Sequence, residues 1–181
     1  MRKLTMPELG RKTPETYRKA DKLPLVLVLD NIRSMMNTGS VFRTADAFLV
    51  ESIILCGFTA TPPHREIHKT ALGATESVAW KYCEHTVDAV KQLKASGYKV
   101  VALEQTTSSI DLQSFQPEAG HKYAFVFGNE VKGVDQKVLE LCDASVEIPQ
   151  FGTKHSLNVS VAAGMMVWDF FCKYNQTPPT S

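Results

Sequence analysis

Residues 25–30, LVLVLD, form a continuous apolar run that closes on a carboxylate. A strand with one face in water alternates apolar and polar side chains, so an unbroken run of this kind demands burial on both faces. A parallel sheet covered by helices on both sides is the common way to meet that demand. The runs SIILCGF (52–58), YKVVALE (98–104) and YAFVFG (123–128) share the style, and VAWKYC (78–83) and ASVEIP (144–149) are shorter versions.

Between these runs the spacing turns helical. A helix capped by Asn37 or Thr38 is expected through Val41, Phe42, Ala45 and Phe48, and a short one over 67–72 that breaks near Gly73. Val87, Val90 and Leu93 line one side of a helix that Gly97 stops. Further helices are expected over 136–141 and, capped by Ser156, from near Leu157 to about Phe171. The alternation predicts an α/β fold, a mainly parallel sheet with helices on both faces. Neither a repeat nor a linker divides the 181 residues. The expected layout is a basic N-terminal extension over 1–22, one domain over 23–173, and a flexible tail over 174–181.

Charge is unevenly spread. The net formal charge is +1, yet residues 1–22 hold seven Lys and Arg against three acids, a net of +4 that leaves −3 for the rest. An arm with Arg11, Lys12, Arg18 and Lys19 suits a nucleic-acid backbone, and Arg33 extends the same chemistry into the body. No run of 18 apolar residues suggests a membrane partner, and no secretory signal stands behind the basic start. The four cysteines have neither zinc-site spacing nor the density of a disulfide scaffold. A cytoplasmic protein without a metal is expected. His64 and His68 are spaced i,i+4, but the acid between them is one place late for HExxH.

Elimination narrows the chemistry. The sequence contains no GxGxxG after its first strand, no GxxxxGK[ST] and no GxSxG. Polar residues and glycines instead gather in three clusters, 31–43, 128–133 and 149–158, each following an expected strand at its carboxyl end. That edge of an open parallel sheet is where ligands bind. Gly128, Gly133 and Gly152 would allow positive φ or close approach to a ligand. Arg43, beside an apolar helix face, either snorkels to water or meets a carboxylate or phosphate.

The three clusters resemble a known family. NIRSMMNTGSVFRTADAF (31–48), FGNEVKGV (127–134) and IPQFGTKHSLNVSVAAG (148–164) are similar, in order, to motifs one, two and three of the SpoU/TrmH-type RNA 2′-O-methyltransferases of the SPOUT class. The resemblance implies a C-terminal trefoil knot, S-adenosyl-L-methionine as cofactor, and a homodimer whose sites borrow residues across the interface. It implies a ribose 2′-hydroxyl of tRNA or rRNA as methyl acceptor. Carried over residue by residue, it marks Asn37, Arg43, Ser156 and Asn158 as catalytic, and Arg43 as a contact to RNA. Gly128, Asn129, Glu130, Gly133, Ile148, Gly152, Ser156, Leu157 and Asn158 would hold the methyl donor. Met35-Met36 replaces the proline–glycine pair frequent in the family, and Leu49 replaces a glycine.

A guanidinium does not deprotonate in proteins, so Arg43 fits electrostatic activation of the acceptor better than general-base catalysis. Two other readings compete: an RNA-binding protein that kept the fold and lost turnover, and a small-molecule-binding α/β protein without an RNA role.

Overall fold

The computed structural model describes residues 1–5 and 7–176. Seven parallel strands form one sheet: β1 (Leu23–Asp30), β2 (Val50–Cys56), β3 (Ala79–Cys83), β4 (Tyr98–Leu103), β5 (Ile110–Asp111), β6 (Lys122–Phe127) and β7 (Ala144–Glu147). Their spatial order is β3-β2-β1-β6-β4-β7-β5. The six expected strands are present, and Ile110–Asp111 adds a two-residue edge strand that its length kept invisible in the sequence.

Strand geometry divides the core into two layers, because successive side chains point to opposite faces. Leu25, Leu27 and Leu29 enter one cluster together with Ile53, Leu55, Tyr123, Phe125 and Phe127. Val26 and Val28 enter the other with Ile54, Ala102, Ala124 and Val126. The aromatic-rich layer packs under α2 (Met35–Ala47), α3 (Arg65–Ala71) and α7 (Val159–Gln176). The small-residue layer packs under α5 (Thr86–Ala95) and the short α6 (Gln136–Leu139). Phe170 of α7 meets Phe125 and Tyr123 edge-on, with centroids 5.2 and 5.3 Å apart, a favoured aromatic arrangement.

Several boundaries differ from expectation, each for a local reason. Helix α2 starts earlier than Asn37 because Ser34 is the cap: its Oγ accepts the Asn37 N–H at 3.2 Å. The region after α3 contains a further turn, α4 (Ala74–Ser77), entered through Leu72 and Gly73, both left-handed. Helix α7 starts after Asn158, whose Oδ1 accepts the N–H of Ser160 at 2.9 Å, so Asn158 and not Ser156 caps it. Residues 174–176 belong to α7 rather than to a tail, and 177–181 lie outside the described residues.

The N-terminal arm is also more than an extension. Residues 14–19 form α1 (Pro14–Lys19), capped by Thr13. Its Tyr17 is buried in the core and donates its hydroxyl to the Ala45 carbonyl of α2 at 3.3 Å. Burial, followed by the nearby Asp46 charge, pushes the Tyr17 phenol well above its ordinary value. Arg18 donates to the Glu76 carbonyl at 2.9 Å, whereas Arg11, Lys12 and Lys19 are exposed.

Candidate functional site

Three loops leave the carboxyl ends of β1, β6 and β7, and side-chain hydrogen bonds tie them together. Glu130 is the central group. One carboxylate oxygen accepts the Arg33 N–H at 2.8 Å; the other accepts the Ser34 N–H at 3.0 Å and the Asn37 side-chain amide at 3.2 Å. Burial alone would raise the Glu130 carboxyl. The backbone N–H groups of Arg33, Glu130 and Ser34, with the Asn37 amide, outweigh it and hold the group below its ordinary value. Asn37 in turn accepts the Asn158 amide at 3.1 Å, joining the loop after β7.

The loop after β6 is closed by its own backbone. Asn129 and Gly133 exchange N–H···O bonds at 3.0 and 2.9 Å, and Asn129 Oδ1 accepts the N–H groups of Val131 and Lys132, both at 3.0 Å. Asn129 also donates to the Asn31 carbonyl at 2.7 Å. Gly128 is needed for this closure: a Cβ there would lie 2.2 Å from Gly133 C and from Val134 N. Gly133 takes φ +70°. The close approach at Gly128 is thus to the chain's own backbone. Gly152 has no positive φ and nothing within 4 Å of a Cβ, so neither conformation nor crowding requires glycine there.

Below the loops, Asp30 ends β1 almost fully buried, with 2% exposed. It accepts from Thr86 at 2.5 Å, from Asn31 at 2.9 Å and from the Asp135 N–H at 3.3 Å. A buried carboxylate needs such partners, and here they anchor the loops after β1 and β6 to α5.

A cavity of about 330 Å³, within the range of small-molecule sites, is walled by the ends of β4, β6 and β7 and the start of α7. No residue of the loop after β1 lines it, and that loop joins the site through its bonds to Glu130. Of the residues marked in the sequence, Gly128, Asn129, Glu130, Gly133, Ile148, Ser156 and Leu157 line the cavity. Asn37 and Asn158 are not among the lining residues; Asn37 is bound to Glu130, and Asn158 to Asn37. Gly152 is exposed outside the lining. Arg43 is exposed on α2 and does not line the cavity of its own chain. The Arg33 backbone belongs to the Glu130 network, and its side chain is exposed.

One wall was not expected from the sequence, the end of β4. Glu104 accepts the Val134 N–H at 2.8 Å and the Gln105 N–H at 3.0 Å, and it lines the cavity with Leu103 and Gln105. The signal was present, since an acid follows the apolar run of β4 just where the other strands carry polar residues. His155, Gln150 and Lys132 are further polar lining residues. His64 acts as the α3 cap, its Nδ1 accepting the Glu66 N–H at 3.2 Å. Among the described residues no cluster of His, Cys, Asp or Glu is arranged to hold a metal, and no helix is long and apolar enough to cross a membrane.

The geometry is similar to that of known proteins. The 23S rRNA (guanosine-2′-O-)-methyltransferase RlmB of Neisseria meningitidis is 34% identical over 144 residues, 80% of this chain and 56% of that protein. The AdoMet-bound rRNA methyltransferase from Sinorhizobium meliloti superposes with a TM-score of 0.76 at 28% identity, covering 88% of this chain and 60% of that one. The A. aeolicus TrmH/SpoU tRNA modifying enzyme gives 0.78 at 25% identity, over 90% and 81% of the two chains. The chain spans less than two thirds of the length of the curated relatives it matches. The family model covers residues 24–168, and with them every residue that lines the cavity, so the chain belongs to the SpoU rRNA methylase family.

Proposed function

We propose that this chain transfers a methyl group from S-adenosyl-L-methionine to a ribose 2′-hydroxyl of structured RNA, tRNA or rRNA. The observation that carries the reading is a cavity walled by the ends of β4, β6 and β7, with the loop after β1 tied to its wall through the bonds of Glu130 to Arg33, Ser34 and Asn37 and of Asn158 to Asn37. The AdoMet-bound relative from Sinorhizobium meliloti supports the donor, and the RlmB relative supports the acceptor.

The lining fits that donor. Leu103, Phe127, Ile148 and Leu157 offer apolar surface for a base. The loop backbones around Gly128–Gly133 and 148–157 offer polar edges, and Glu104 and Glu147 supply acids for a cationic centre. Bound there, the donor supplies an electrophilic methyl. The chain's own residues orient the loops, exclude water and present the acceptor.

Arg43 supplies the remaining charge from a second copy of the chain. Helix α7 exposes Val161, Met165 and Trp168 at 52%, 43% and 55%, an i, i+4, i+7 stripe, and α2 exposes Met36 at 53%. An apolar stripe shared by two packed helices fits a homodimer face, and Arg43 and Asn37 lie on α2 beside it. The guanidinium of one subunit then reaches the other's site, holds the phosphate next to the acceptor ribose, and stabilises charge developing on the 2′-oxygen. The trefoil knot and a cytoplasmic setting belong to the same reading. Supporting them are the strand order of the SPOUT-like sheet and four unpaired cysteines.

The test is methylation of total tRNA and rRNA with labelled donor, followed by nucleoside mapping. A 2′-O-methylated nucleotide is expected. Label on a base, or donor and RNA binding without transfer, overturns the reading.

A further inference from the structure

A second cavity, about 510 Å³, lies on the flank of edge strand β3, lined by Pro62, Pro63, His64, Arg65, His68 and Trp80 among others. Nothing in the methyl-transfer reading uses it. We propose that it binds an unpaired nucleotide of the RNA substrate at a distance from the methylated ribose. The proposal rests on the RNA reading and extends it.

The chemistry of the walls points to a nucleotide. Trp80 is half-buried, and its indole N–H has no hydrogen-bond partner among the described residues. Together with the two prolines it makes an apolar wall, and an indole is a stacking surface for any base. Arg65 is exposed, and its guanidinium forms no ion pair or hydrogen bond among the described residues, leaving its fork for a phosphate. His64 spends Nδ1 on the Glu66 N–H, which leaves Nε2 as its donor.

Position links this cavity to the first one. The segment 57–64 leaves β2, the neighbour of β1 in the sheet. It is tied to the loop after β1 by the Phe58 N–H on Asn31 Oδ1 at 3.2 Å and the Ile32 N–H on Thr59 Oγ1 at 2.9 Å. Phe58, 63% exposed, lies on this segment, and the exposed Arg33 lies on the loop to which it is tied. At the other end, Arg18 of α1 holds the carbonyl of Glu76, itself a lining residue. The linked loops after β1 and β2 thus offer Arg33 and Phe58 to an RNA strand, and α1 reaches the Glu76 wall of the Trp80 cavity through Arg18.

Two tryptophans, Trp80 and Trp168, make this measurable. In the full chain carrying Trp168→Phe, Trp80 is the sole tryptophan and, under selective indole excitation, the sole emitter. Its fluorescence should fall saturably with a short single-stranded oligoribonucleotide at low salt, and adding Arg65→Ala and His68→Ala should weaken that binding about tenfold. Trp80→Phe should raise KM for RNA with kcat, donor affinity and melting temperature kept, whereas a merely structural role would move the melting temperature. An unresponsive Trp80 in protein that still methylates RNA overturns the nucleotide cavity and leaves the methyl-transfer reading standing. Quenching by RNA with no 2′-O-transfer does the reverse. Quenching by a proline-rich peptide and not by RNA overturns it in favour of a peptide site.

Discussion

Asn158 donates its side-chain amide to the side-chain carbonyl of Asn37 at 3.1 Å, across 121 positions of sequence. The same Asn158 caps α7 through its other side-chain atom. One residue therefore fixes where the last helix starts and where the loop after β7 meets α2. The two tasks use different atoms and can be separated. Asn158→Asp keeps the capping oxygen and loses the donor, so stability should stay within about 0.5 kcal/mol while donor affinity falls about tenfold, the equivalent of one hydrogen bond. Asn158→Ala should lose a further ~1 kcal/mol of stability with the cap. Calorimetric titration of the methyl donor and urea denaturation read the two effects. Equal stability losses in both variants would contradict the separation.

Glu130 makes acid sensitivity predictable. Its folded carboxyl titrates below the ordinary value, so the carboxylate stabilises the fold above that ordinary value, and the contribution is lost as pH falls through the lowered folded value. Glu130→Gln should cost about 1.5–3 kcal/mol at neutral pH, the range for hydrogen bonds to a charged group. The gap between wild type and variant should close in acid. Urea denaturation at neutral pH and near pH 3 checks both the size and the sign.

Gly128 and Gly152 should respond oppositely to the same change. Gly128→Ala drives a methyl into the backbone of 133–134, which should cost about 1–3 kcal/mol and abolish donor binding by opening the loop. Gly152→Ala meets nothing within 4 Å and should stay within about 0.5 kcal/mol in stability. Thermal melts with and without donor distinguish them.

Arg43 is exposed, and its side chain has no partner among the described residues, so replacing it should leave stability and donor affinity alone. Arg43→Lys keeps the charge and loses the two-pronged fork. It should lower kcat about a hundredfold, the scale of one lost transition-state donor. Near-normal turnover would mean that a point charge suffices.

Trp168 stacks on Phe171 and contacts Phe48, at centroid distances of 6.0 and 5.7 Å, while remaining 55% exposed. Trp168→Glu should give a folded monomer by light scattering, with no transfer. Mixing Arg43→Ala protein with Gly128→Ala protein should restore part of the activity if each site draws Arg43 from the other subunit. Full activity in a Trp168→Glu monomer would rule out shared sites.

Much of the architecture was legible because burial on both faces leaves a plain trace. The Leu25–Asp30 and Tyr123–Phe127 runs announce central parallel strands, and their neighbours Asn31 and Gly128 announce the ligand edge. Boundaries were harder. Ser34, Asn37 and Thr38 can all cap α2, and only the tertiary bond between the Asn37 amide and Glu130 shows that Asn37 is committed elsewhere. Ile110–Asp111 pairs only because β7 offers it an edge, and two residues carry no periodicity.

By itself the sequence determined the α/β class, the order of elements and the three loops that meet at the carboxyl edge, since each follows from local composition and spacing. Only the tertiary structure decided that Glu104 lines the cavity while the loop after β1 does not, that Tyr17 roots the arm in the core, and that Arg43 lies outside the lining of its own cavity. Those facts depend on which strands become neighbours and which way a helix turns. Both are settled by packing between segments far apart in the chain, and local sequence does not encode it.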